Sequence, residues 1–167
     1  MAATSIRVLT LNCLFHGHVR ARLHAIGPLL EEGRFDLVCL QEVAFRRHIN
    51  LLASRMPGYG PPVYRSFAFG VMGGLVTFAR VAPARSSYEM SRRRGDWGTL
   101  GAADRIGRKG FLTTWLDLKG TPVIIVNTHL LSNYDADCAP THRYADQHPA
   151  QLEPLGDPPA PPRAGGP

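Results

Sequence analysis

The sequence predicts an α/β fold, and three observations carry that prediction. Residues 37–40, Leu-Val-Cys-Leu, and 123–126, Val-Ile-Ile-Val, are short continuous apolar runs of the kind required by a strand covered on both faces. A segment with apolar residues at helical spacing separates residues 37–40 from an earlier strand-like run, so strand, helix and strand follow one another. Three apolar runs also stop at residues able to do chemistry: Asn12, Glu42 and the triplet Asn127-Thr128-His129.

Taken in order, residues 6–12 are β-branched and apolar enough for a strand ending at Asn12, with His16 and His18 in the loop above it. Leu23, Ile26, Leu29 and Leu30 recur at helical spacing across residues 19–32. Gly27-Pro28 in the middle predicts a kink or a split, because proline offers no amide donor, and Gly33 predicts the C-cap. The strand around Val38 follows at once, which makes a crossover unit with Asn12 and Glu42 at the carboxyl ends of its strands, on one rim. A carboxylate there costs on the order of several kcal/mol to desolvate unless it is paired, hydrogen-bonded or on a metal.

Phe45, Ile49, Leu52 and Met56 step by three and four, predicting a second helix that closes at Pro57-Gly58. Residues 63–69 and 74–78 read as two strands joined through 70–73 into a hairpin, and 87–90 as a further short strand. Residues 92–109, rich in Gly and Arg, have no period and predict a long loop, of a length that is often functional. Residues 111–118 and 122–127 are strands about a Lys119-Gly120 turn, the second apolar enough for the middle of a sheet. Residues 141–155 carry Arg143, Gln147 and Gln151 at a spacing of four, one more helical segment, interrupted by Pro149. From residue 156 to 167 the chain is almost wholly Pro, Gly and Ala, which predicts a disordered tail after a domain at 1–155.

With 167 residues, 44% of them hydrophobic, the chain is one domain able to bury a core. Its formal charge of +6 comes from arginines, grouped at Arg92-Arg93-Arg94 and, with Lys109, at Arg105 and Arg108. That balance favours phosphate-bearing partners, nucleic acid or anionic lipid, without choosing between them. Cys13, Cys39 and Cys138 are odd in number and lack metal-ligand spacing, so Cys13 and Cys39 read as core residues. A Cys13 nucleophile paired with His16 or His18 has nothing to orient the histidines. A zinc site on His16, His18 and His24 lacks a completing cluster. The polar first residues predict no secretory signal, and no run reaches the ~18 apolar residues of a membrane helix. The expectation is a cytoplasmic protein.

Four motifs give a sharper reading. Thr10-Leu11-Asn12, Leu40-Gln41-Glu42-Val43, Gly74-Leu75-Val76-Thr77-Phe78 and Val126-Asn127-Thr128-His129-Leu130 occur in the order found in the endonuclease/exonuclease/phosphatase superfamily, which the chain resembles over residues 6–155. Arg108-Lys109-Gly110-Phe111 before a strand, and Asn127-Thr128-His129-Leu130 after one, are most similar to the branch of neutral sphingomyelinases and related phosphodiesterases. The resemblance implies the first part of a two-sheet, four-layer α/β sandwich with a metal-dependent phosphoesterase site on its rim. It implies that Glu42 and Asn12 bind Mg²⁺, with Mn²⁺ as a substitute, and that His129 acts with them on the phosphoryl group. Arg108, Lys109 and Asn127 are the residues expected to hold the substrate. One carboxylate completed by waters and substrate phosphate suits Mg²⁺, and a protonated His129 suits a phosphoryl oxygen that gains charge.

The departures are as specific. Where the superfamily continues through a strand into Gly-Asp-x-Asn and later a Ser-Asp-His motif, this sequence has Gly156-Asp157-Pro158-Pro159 and no histidine after His148. The expected chain therefore stops before the second-half strands and lacks the general base, a loss worth ~10²–10⁴ in rate. Three readings follow: a phosphoesterase acting on lipid or small phosphoesters, a nuclease, and a non-catalytic metal- or phosphate-binding half-domain. An apolar sheet face left uncovered would favour self-association or a complementing chain.

Overall fold

The computed structural model describes residues 5–68, 70–91, 108–118, 120–130 and 152. The expectations for Arg92 to Arg94, Arg105 and Cys138, for the body of the helix at 141–155 and for the tail lie outside the described residues.

Strand β1 (Val8–Asn12) leads into helix α1 (Val19–Glu32), strand β2 (Leu37–Gln41) and helix α2 (Arg46–Arg55). Strands β3 (Ser66–Phe67) and β4 (Gly70–Val71) form a two-residue ribbon before a single 3₁₀ turn, Met72–Gly74. Strands β5 (Val76–Ala79), β6 (Arg85–Met90), β7 (Gly110–Leu118) and β8 (Thr121–Thr128) complete the described elements. Two three-stranded sheets result, one ordered β1-β2-β5 and one ordered β6-β7-β8.

Alternation along β2 explains the layers. Val38 and Leu40 point to the helices, where they join Leu23 and Leu30 of α1 and Ile49 and Leu52 of α2. Leu37 points the other way and, with Ala79, meets Leu116 and Leu118 of β7. All five residues of β2 are buried, as a strand covered on both faces must be. The order of layers is helix pair, first sheet, second sheet, a mixed α/β sandwich in which β1 and β2 run parallel across the α1 crossover.

Three local expectations need correction. Helix α1 is neither split nor ended at Gly27-Pro28: it runs unbroken from Val19 to Glu32 with Pro28 inside. Gly27 is where α2 crosses, so closely that an added Cβ would lie 2.5 Å from Cβ of Arg55, and this packing holds the turn that proline weakens. Gly33 is the C-cap but stays right-handed, and Arg34 takes the left-handed conformation at φ 48°.

The hairpin expected from 63–69 and 74–78 is also rearranged. Strand β5 pairs antiparallel with β2, from Leu37↔Ala79 to Leu40↔Val76, because Val76 and Phe78 then join the main core. A single bridge, Val63↔Thr77, remains of the expected pairing. Finally, residues 123–126 lie in the outer strand of the described second sheet and are half-buried, whereas β7, with a ladder on each edge, is the covered middle strand.

A candidate active site at the rim of the sheets

The register Asn12↔Gln41 brings β1 and β2 to the same rim, so Asn12 and Glu42 emerge side by side. Glu42 adopts a left-handed backbone at φ 62°, a conformation that costs a non-glycine residue about 1–3 kcal/mol. The 3₁₀ turn holds it there, because the Val43 amide donates to the Gly74 carbonyl at 2.9 Å. Gly74 has φ 62° itself, and a Cβ on it would stand 3.0 Å from Cα of Glu42. Only glycine satisfies both the angle and the approach.

The Glu42 carboxylate is held at both oxygens. Nδ2 of Asn12 donates to Oε1 at 2.8 Å, and the Phe15 amide donates to Oε2 at 2.8 Å. The Leu14 amide donates to Oδ1 of Asn12 at 2.9 Å, which fixes which end of that amide faces Glu42. Nε2 of His129, delivered by the end of β8, lies 3.7 Å from Oε1. Burial alone would raise the Glu42 carboxyl, but the Asn12 and Phe15 hydrogen bonds and the positive charge of His129 and Lys109 outweigh it and hold the group below its ordinary value of 4.5. It is therefore an ionised carboxylate at neutral pH.

Of the residues expected to touch substrate, Asn127 is placed elsewhere. It is 2% exposed, and its amide donates to the Leu40 and Val76 carbonyls, both at 3.1 Å, while its Oδ1 accepts from Nε2 of Gln41 at 2.8 Å. Both donors and one acceptor position are used within the protein, so Asn127 ties β8 to β2 and β5 instead of facing the rim. Lys109 is buried, and its ammonium donates to the Leu130 carbonyl at 2.6 Å, close enough to Glu42 to act on its charge. Arg108 is exposed at the foot of β7, its guanidinium 4.9 Å from the centre of the Phe67 ring.

Gln41 is the residue that motif reading passed over. Its Nε2 lies within hydrogen-bonding reach of Asn127, of Oγ1 of Thr10 at 3.1 Å and of the Cys39 carbonyl at 3.3 Å, so it links both sheets one residue before Glu42. The signal available in the sequence was an amide ending each of two apolar runs. Cys13 is buried, and burial pushes its thiol up to about 11, which removes the thiolate a nucleophile needs. Among the described residues no group of three His, Cys, Asp or Glu side chains is placed to hold a metal, so His16, His18 and His24 form no zinc site there.

A model of the "Endonuclease/Exonuclease/phosphatase family" matches residues 9–162. A Drosophila melanogaster protein whose name reads "Putative neutral sphingomyelinase" is 30% identical over 150 residues, 86% of this chain and 34% of that protein. The chain thus spans about a third of that relative's length. Among solved structures, sphingomyelinase C from Streptomyces griseocarneus superposes with a TM-score of 0.67 at 20% identity, over 92% of this chain and 57% of that one. A Staphylococcus aureus beta toxin mutant with bound magnesium ions gives 0.64 at 16% identity, over 91% and 58%. TDP2 of D. rerio, complexed with a single-strand DNA product, gives 0.57 at 16% identity, over 92% and 55%.

Proposed function

Because the chain belongs to the endonuclease/exonuclease/phosphatase family, we propose that it is a divalent-metal-dependent phosphoesterase domain acting on lipid or small phosphoesters. The observation that carries this reading is the ionised Glu42 carboxylate with Nε2 of His129 3.7 Å away, at a rim where the two sheets meet.

The residues present fit a hard cation. Glu42 offers charged oxygens, each with one hydrogen bond from protein, and Mg²⁺ ordinarily takes one or two carboxylates and fills its remaining positions with water and phosphate. Glu42 is the residue that would hold Mg²⁺, or Mn²⁺ in its place. Bound there, the ion would supply Lewis-acid polarisation of a phosphoryl oxygen and charge for the departing one. Asn12 acts by orientation: its NH₂ faces the carboxylate and its oxygen is taken by the Leu14 amide. His129, protonated, donates to a phosphoryl oxygen as negative charge develops on it. Lys109 adds positive charge beneath the same point, and Arg108, further out, is available to a substrate headgroup.

The relative named as a sphingomyelinase favours the lipid substrate class. The likeness to TDP2 supports a nuclease as a second reading, together with the charge of +6. A non-catalytic metal- or phosphate-binding module is favoured by Gly156-Asp157-Pro158-Pro159, which stands where the family carries Gly-Asp-x-Asn.

Hydrolysis of bis-p-nitrophenyl phosphate by the purified chain, in Mg²⁺ and then in EDTA, separates these readings. Metal-dependent turnover that Glu42→Gln abolishes is the expected result, because the substitution removes the charge that anchors the ion. Equal rates in Glu42→Gln would overturn the role given to Glu42. No turnover by the folded chain, with Mg²⁺ still bound, would leave the non-catalytic module.

A further inference from the structure

Beside this rim the chain exposes large apolar side chains on a built, not a slack, surface. Phe15 is 51% exposed, Leu14 42% and Phe45 39%. Phe15 and Phe45 line one open groove of about 760 Å³, together with Val19, Leu51, Arg20 and Arg47. The loop that presents Leu14 and Phe15 is pinned from below: Arg22 donates to the Cys13 carbonyl and to the His16 carbonyl, both at 3.0 Å. Leu14 is held left-handed at φ 55°, a strained state for a branched residue, and the Asn12 hydrogen bond maintains it. Burying those side chains inward would have relieved this exposure, yet the fold fixes them outward.

Apart from Glu42 on the adjoining rim, the charge that the described residues place around the patch is positive. Arg20, Arg46 and Arg47 are exposed on the first turns of α1 and α2, neither of which carries an acidic residue there. The sequence has no Asp or Glu before Glu31 and none between Glu42 and Glu89. Two helix N-termini, each the positive end of its dipole, stand behind the same arginines. An apolar tip flanked by three arginines, with the Glu42 carboxylate only 17% exposed on the adjoining rim, complements an anionic bilayer, whose acyl boundary takes the rings while its phosphates take the arginines.

The geometry points to a docking surface for an anionic lipid bilayer formed by Leu14, Phe15 and Phe45, with Arg20, Arg46 and Arg47 as its cationic rim. A single-stranded nucleic acid fits less well. Leu14, Val19 and Leu51 have no π-face for a base. One face of the Phe45 ring carries the Arg47 guanidinium, 4.6 Å from its centre, and the His48 ring stands against it edge-on at 5.6 Å, which leaves its exposed part less suited to stacking a base than to entering an acyl layer. The position of the patch has a consequence for the site, because Phe15 donates its amide to Glu42 and Phe45 follows three residues after it. A bilayer seated there would bring headgroup phosphates to the rim. The surface stands whether or not the rim catalyses hydrolysis, so it is tested without turnover.

The test is co-sedimentation of the full chain, in EDTA, with vesicles of phosphatidylcholine alone and of phosphatidylcholine with phosphatidylserine at about two to one. The chain should bind the mixed vesicles at least about tenfold more tightly, and added salt should weaken that binding. Phe15→Ser/Phe45→Ser should lose about tenfold on the mixed vesicles, and Arg20→Glu/Arg47→Glu should lose the preference for them. All four side chains are exposed, and circular dichroism checks that the variants fold. Equal binding to both vesicle types, or binding untouched by the aromatic pair, would overturn the proposal. So would displacement from vesicles by a single-stranded oligonucleotide that itself requires Phe15 and Phe45, which would make the patch a nucleic-acid surface.

Discussion

At the scale of single residues, buried amides decide the position of the rim. Asn127 and Gln41 look out of place in apolar strands, since each unpaired polar group buried there costs about 1–3 kcal/mol. Together they satisfy one another and two backbone carbonyls, one on each of β2 and β5. Glu42 follows Gln41 at once, and His129 lies two residues after Asn127, so the same link sets the spacing of the two rim side chains. Asn127→Leu keeps the branching of the side chain but leaves both carbonyls and the Gln41 amide without these bonds. It should lower unfolding stability by about 2–4 kcal/mol, measured by urea denaturation. A loss within experimental error would mean that the sheets are held by apolar packing alone.

At the scale of elements, the 3₁₀ turn at Met72–Gly74 does what a hairpin would not. It bends the chain so that β5 pairs with β2, and it passes close enough to Glu42 to bond the following amide. Gly74→Ala would need a strained φ and would press a methyl group on Cα of Glu42 at 3.0 Å. The expected cost is about 1–3 kcal/mol, with weakened Mg²⁺ binding measured by calorimetry. Gly120, at φ 82° in the β7–β8 turn with open space around it, is the control: Gly120→Ala should strain its turn and leave Mg²⁺ binding unchanged. If both variants bind Mg²⁺ like the parent, the turn does not position Glu42.

At the scale of the whole molecule, two of the described groups make stability fall on acidification. His48, in the first turn of α2, has Nδ1 buried and no partner for it among the described residues, and burial followed by the Arg47 charge lowers its pKa below the ordinary 6.5. Its contribution is complete above 6.5 and is lost as pH falls through the depressed folded value, because the unfolded chain takes up the proton more readily. The Glu42 carboxyl is lowered too, so its contribution is complete above 4.5 and is lost at still lower pH. The urea midpoint should therefore decline in two stages as pH falls from neutrality. His48→Gln should remove the upper stage and Glu42→Gln the lower. A midpoint that rises on acidification would reverse the sign derived for both groups. No helix among the described residues is long and apolar enough to cross a membrane.

Periodicity placed most elements, because a core strand or a helix face advertises itself in the spacing of its apolar residues. Residues 6–12, 37–40, 45–56 and 111–118 were legible on that ground, as was the meeting of Asn12 and Glu42, since parallel β1 and β2 must end on one rim; His129 joined them only through the order of the motifs. The hairpin at 63–78 was not legible, because the partner of β5 is chosen by where Val76 and Phe78 find a core, and that core is made by distant helices. Nor was the inward turn of Asn127, since an amide at a strand end reads the same whether it faces substrate or a second sheet. The sequence by itself determined the strands, the helices and the side chains that reach the rim. Only the tertiary structure decided which of those side chains stay open to a ligand and which are consumed in joining the sheets, because that choice depends on hydrogen bonds between residues more than eighty positions apart.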